Sequence, residues 1–249
     1  MKKFFMFLAV IGFVALAAND LVAQTNDAAA QELLAGAASE APVYQQIKAK
    51  FIDGGVGFMA SVLLCLILGL AVAIERIIYL SLSTTNTSKL IAKVEEALAN
   101  GGVEAALEVC RNTRGPVASI FYQGLSRMDQ GLEAVEKSVV SYGGVQAAQL
   151  ETGLTWLSLF IAMAPNLGFL GTVIGMIGAF DAIQAAGDIS PIVVASGIKV
   201  ALITTVAGLI VALILQVFFN YITSKVESLV ITMEDASVSL IDILVKAKK

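Results

Sequence analysis

The distribution of charge constrains this chain more than any other feature. No Asp, Glu, Lys or Arg occurs between Asp53 and Glu75 or between Glu151 and Asp181, and only Lys199 occurs between Asp188 and Lys225. A helix needs about 20 apolar residues to cross roughly 30 Å of hydrocarbon, and each stretch is longer than that. Within lipid only helices and closed barrels satisfy their own backbone, and these runs lack the alternation of barrel strands. The chain therefore reads as an all-α integral membrane protein with three transmembrane helices. The low charged fraction, 14% against about 25% in soluble domains, follows from the same three stretches. The rival reading, buried core helices of a soluble protein, fits their length poorly.

The amino terminus and the charged loops orient the spans. Lys2 and Lys3 precede an apolar run from Phe4 to Ala18, with Ala15-Leu16-Ala17 and Leu21-Val22-Ala23 as candidate cleavage sites. This is a signal-peptide pattern over residues 1–23, the alternative being a short uncleaved anchor. Either sends residues 24–53 to the periplasm. Arg76, Lys89, Lys93, Arg111, Arg114, Arg127 and Lys137 lie between the first two spans, and Lys225, Lys246, Lys248 and Lys249 follow the third. Basic residues mark cytoplasmic loops, so the carboxyl terminus is expected in the cytoplasm of a bacterial cell. The expected segments are transmembrane helices at 54–80, 153–186 and 191–222, a cytoplasmic helical region at 81–152, a periplasmic turn at 187–190 and a cytoplasmic tail helix at 223–249.

The cytoplasmic segments carry helical spacing. Leu90, Ile91, Val94 and Leu98 recur on one face until Asn100-Gly101-Gly102, and Val103 to Cys110 resumes as a second helix. Gly115-Pro116 marks a break. From Leu132 the pattern continues past Gln149 toward span two. It predicts one long helix projecting from the membrane, with Gly143-Gly144 as the place for a bend.

Several chemistries are poorly served. Histidine is absent, which removes the commonest general base and metal ligand. Neither a phosphate-binding G-x-x-x-x-G-K-[ST] loop nor an H-E-x-x-H pair occurs. Cys65 lies in a span and Cys110 in the soluble region, so no disulfide is expected. An intramembrane enzyme would have only Ser196 and Lys199 to work with. The expectation is a non-enzyme with no cofactor, no metal and no nucleic-acid partner.

Spans two and three are patterned beyond what anchoring needs. Gly168, Thr172, Gly175 and Ala179 share one helical face, as do Gly197, Ala201, Thr205, Gly208 and Ala212, with Gln216 extending the second stripe. Small residues let membrane helices approach closely. Gly187 suits the end of span two, and Ser190-Pro191 the start of span three. Thr172 and Thr205 each fall fourteen residues from those ends, about 21 Å in depth. Two hydroxyls at one level suggest a polar ring in an assembly. The plainer alternative is that each threonine bonds its own backbone and the stripes serve packing alone.

Ala164-Pro165-Asn166-Leu167-Gly168-Phe169-Leu170-Gly171-Thr172-Val173-Ile174-Gly175-Met176 resembles the A-P-x-L-G-x-x-G-T-V-x-G-M segment of the ExbB/TolQ/MotA proton-channel family. Gly197 to Leu209, with Thr204-Thr205 and Gly208-Leu209, resembles that family's third span, and Gly115-Pro116-Val117-Ala118 its cytoplasmic region. The likeness covers roughly residues 55–225. It implies an inner-membrane homopentamer whose second and third spans line a pore. It also implies an ExbD-like single-span partner with an intramembrane aspartate, and a TonB- or TolA-like protein that receives the force. By the resemblance, Thr172 and Thr205 face the partner's aspartate, Thr204 and Lys199 join the pore lining, and Gly168, Gly171, Gly175, Ala201 and Gly208 pack the helices. The chain departs from the family at Val200, where many members carry a glutamate; here Lys199 stands beside it. A lysine in a span costs about 2.5–3.5 kcal/mol on insertion scales. It either snorkels to the surface or pairs with a partner acid.

Overall fold

The computed structural model describes residues 43–187 and 191–247, and every element in them is helical. The leader, residues 24–42 and the Ser190 cap lie outside the described residues. A short helix, α1 (Val43–Asp53), belongs to one compact unit, and everything from Gly57 onward to another.

The larger unit contains α2 (Val56–Ser83), α3 (Thr87–Arg111), α4 (Pro116–Leu125), α5 (Leu132–Glu151), α6 (Leu154–Ala186) and α7 (Pro191–Ala247). Three of its helices are long and apolar enough to cross a membrane: α2, α6 and the first half of α7. Their outer faces show why they need one. Leu64, Ile67, Phe169, Ile177, Leu202 and Leu213 are all exposed. Helices apolar on every side are stable only in a protein core or in lipid.

The sequence shapes each helix end. Asn86 caps α3 by accepting from the Lys89 N–H. Gly102 (φ 71°, ψ −163°) splits α3 into two helices where the glycine pair predicts a break. Gly187 closes α6 in the left-handed conformation, its N–H bonded to the Ile183 carbonyl.

The expected single helix from Leu132 into span two is not what forms. The chain breaks between α5 and α6, with Thr152 extended (φ −54°, ψ 136°) and Gly153 left-handed (φ 89°). Gly143 and Gly144 lie within a continuous α5. The reason is local. Gly153 alone tolerates that φ at no cost, and a β-carbon there would sit 3.1 Å from Nε of Arg76. The reverse holds after span three, where α7 continues for 57 residues without interruption, about 85 Å of helix.

The soluble half of α7 explains how. Val226, Leu229, Met233, Ala236, Leu240 and Ile243 are buried. They recur at alternating spacings of three and four, the seam of one helix against a bundle. Against this seam lies α4, the most enclosed element, with Val117, Ala118, Ile120, Phe121 and Leu125 all buried. Gly124 brings α4 close: a β-carbon there would sit 2.6 Å from Val139 and 3.4 Å from Leu240. The bundle thus fixes the far end of α7, while its near end packs on α6.

Candidate functional site

The two small-residue stripes face each other within one chain. Helices α6 and α7 run antiparallel, and their glycines bring backbone to backbone. A β-carbon on Gly208 would lie 2.5 Å from the Ala164 carbonyl oxygen and 3.2 Å from the Gly168 Cα. One on Gly168 would lie 2.8 Å from the Thr204 carbonyl oxygen, and one on Gly175 3.4 Å from Ala201. At the far end Gly197 sits on Ala179. The seam is therefore a close helix pairing of the kind small residues permit in lipid.

Two hydroxyls are set into that seam. Thr172 Oγ1 and Thr205 Oγ1 are in direct hydrogen-bond contact. Thr172 Oγ1 also lies 3.1 Å from the Ala201 carbonyl oxygen and 3.3 Å from that of Gly168. Thr205 Oγ1 lies 3.3 Å from the Gly168 oxygen and 3.4 Å from the Ala201 oxygen. The result is a cluster of four oxygens, two of them carbonyls, sharing two hydroxyl protons. Such a cluster has acceptor capacity to spare. It suits a group that brings a proton, such as a neutral carboxylic acid. If a hydroxyl turns, it can instead donate to an ionised carboxylate. Both threonines are half-buried, so the cluster has an open side.

The other expected site residues fall elsewhere. Thr204 is 0% exposed, packed on Gly171 between the two helices, and its hydroxyl donates to the Ala201 carbonyl at 2.8 Å. It therefore packs the pair and is shut off from any path along the outside of it. Lys199 is exposed on α7 near its Pro191 end. Gln216 is engaged with Asn220 at 3.2 Å, one turn on.

The sequence pattern did not reveal that the carbonyls of Gly168 and Ala201 complete the site. In the structure the paired positions (164 with 208, 168 with 205, 175 with 201, 179 with 197) keep a nearly constant sum, as an antiparallel register requires. Beyond the membrane, Arg76 is largely enclosed. It bonds the Glu75 carboxylate at 2.6 Å and stacks over the Tyr79 ring at 4.9 Å. No group of three or more metal-ligating side chains occurs among the described residues.

The fold and the seam define a class: a three-span helical membrane protein whose second and third spans are locked by glycines around a hydroxyl pair. Residues 112–235 match the model of the MotA/TolQ/ExbB proton channel family. The chain is 31% identical over 179 residues to the putative biopolymer transport protein ExbB-like 1 of Synechocystis sp., covering 70% of each chain. It is 36% identical over 162 residues to a putative ExbB homolog of Methanothermobacter thermautotrophicus, covering 65% of this chain and 57% of that protein's length. It is 38% identical over 113 residues to the biopolymer transport protein ExbB of Xanthomonas campestris, covering 45% of this chain and 43% of that one. The chain belongs to the MotA/TolQ/ExbB proton channel family.

Proposed function

We propose that this protein is the ion-conducting subunit of a proton-driven inner-membrane motor, working as ExbB-type proteins do to energise transport across the outer membrane. It acts as a homo-oligomer, a pentamer by family resemblance, with its carboxyl terminus in the cytoplasm. It carries no enzymatic activity of its own. An ExbD-like helix brings the titrating aspartate, and a TonB-like protein carries force across the periplasm.

The observation that carries this reading is the four-oxygen cluster of Thr172, Thr205 and the Gly168 and Ala201 carbonyls, about 21 Å below the periplasmic end. An ionised carboxylate in hydrocarbon is costly. A neutral acid can donate into the cluster, and an ionised one can accept from a turned hydroxyl. Away from the cluster only the neutral acid is tolerated, whereas beside it the ionised form gains hydrogen bonds, so moving the acid past the cluster couples protonation to position. Among the described residues of α6 and α7, no carboxylate stands at this level.

A second reading, a scaffold whose threonines only pack, is favoured by their bonds to carbonyls of the same chain. Valine keeps a threonine's shape and serine keeps its hydroxyl, so the pair of substitutions separates the two readings. Thr172→Val and Thr205→Val are expected to abolish proton-coupled uptake while the complex still assembles, with Thr172→Ser and Thr205→Ser retaining most of it. Normal uptake in both valine variants would remove the polar path and leave the scaffold. A TolQ-type role in envelope maintenance is tested by which phenotype the valine variants lose.

A further inference from the structure

A recess lies at the membrane's edge, away from the hydroxyl seam. It has a volume of about 360 Å³ and lies between the end of α2, the first turn of α4 and the last turns of α5. Tyr79, Ser83, Arg114, Ser119 and Gln146 line it. Its chemistry is one-sided, since no carboxylate is among the lining residues and Arg114 supplies the only charge.

The donors at this recess are unengaged by the chain. Among the described residues, Arg114 pairs with no carboxylate, and neither the Gln146 amide nor the Tyr79 hydroxyl has a hydrogen-bond partner. Ser83 and Ser119 donate to the Tyr79 and Gly115 carbonyls and serve as walls. The first turn of α4 adds a further positive end: Pro116 opens the helix and no side chain caps it. A fixed φ of +121° at Gly115 and the bond from Thr85 Oγ1 to the Arg114 carbonyl hold this corner in shape.

Its depth suggests what fills it. The uncharged run of span one ends at Glu75, so Tyr79 lies about 6 Å and Ser83 about 12 Å beyond it along the helix. The headgroup zone occupies roughly 5–8 Å outside the hydrocarbon. The recess opens in that zone at Tyr79, and Leu82, 75% exposed, adds an apolar side chain to its outer rim.

We propose that this recess binds a phosphate-bearing anion, presented by the headgroup of an anionic phospholipid. Arg114 supplies the charge, Gln146 and Tyr79 orient the phosphate oxygens, and the positive end of the α4 dipole adds a weak field. The lipid then ties the end of span one to the bundle that anchors α7.

The test is native mass spectrometry of the full-length protein in mild detergent, titrated with phosphatidylglycerol, with phosphatidylcholine and with inorganic phosphate. The wild type is expected to retain phosphatidylglycerol over phosphatidylcholine. Arg114→Gln should weaken that binding about five-fold, the equivalent of about 1 kcal/mol for one arginine at a membrane surface. Gln146→Leu should weaken it less, and Arg127→Gln, an exposed arginine outside the recess, should leave it unchanged. Competition by inorganic phosphate in the wild type alone would support the anion site and assign it to a soluble phosphate. Equal retention by wild type, Arg114→Gln and Gln146→Leu, or no preference between the two lipids, overturns the proposal.

Discussion

Gly208→Ala tests the seam directly. The new β-carbon would sit 2.5 Å from the Ala164 carbonyl oxygen, with the Gly168 Cα at 3.2 Å. Both neighbours are backbone, so no side chain can rotate aside. Ordinary carbon–oxygen contacts begin near about 3.3 Å, so the two helices must part by roughly 0.8 Å. A gap of that size forfeits about a quarter to a half of the dispersion contact along the seam. Overpacking of this kind costs about 1–3 kcal/mol, and alanine's better helix propensity returns about 0.5–1 kcal/mol. The net loss is about 0–2.5 kcal/mol, which for a chain of this size lowers the melting temperature by up to roughly 10 °C, and the difference from a glycine-to-alanine change in open space is the full packing cost of about 1–3 kcal/mol. Gly144→Ala is the matched control, because nothing lies within 4 Å of its added carbon, and it should be neutral or slightly stabilising. Thermal melting of both variants in one detergent decides the matter. A Gly208→Ala protein that melts at or above the Gly144→Ala protein would refute the close backbone approach.

Lys199→Met is expected to reduce motor-dependent uptake with assembly intact; unchanged uptake would make the lysine a snorkelling surface residue. Gly115→Ala meets both a disfavoured φ of +121° and the Thr85 hydroxyl, so it should cost about 1–3 kcal/mol, read as a lower melting temperature. Cys110 is buried in the bundle outside the spans, and burial pushes its thiol from 9.0 up to about 11. The folded state therefore holds the neutral thiol. Its contribution to stability is complete below about pH 9 and is lost as the pH rises through about 11. At pH 8 the folded protein should label at Cys110 roughly a hundredfold more slowly than the unfolded chain, and equal rates would show that the bundle is open there.

The sequence alone determined the class of the protein. Charge is so costly in hydrocarbon that three long uncharged runs admit only membrane helices, and the Ala164–Met176 and Gly197–Leu209 segments carry the family. Helix ends were legible at Gly102 and Gly187, where glycine's backbone freedom ends a helix, but not at Gly153, which the continuous helical pattern masked. Tertiary structure decided what the stripes do. Periodicity places small residues on a face but does not say which surface that face meets, and only the antiparallel register set the two stripes against each other. That register enclosed Thr204, gathered Thr172 and Thr205 around two carbonyls, and left Lys199 outside. The break between α5 and α6 rests on Gly153, whose left-handed φ of 89° ends one helix before the next begins, and the Arg76 side chain, 77 residues earlier in the chain, fills the space a β-carbon there would need.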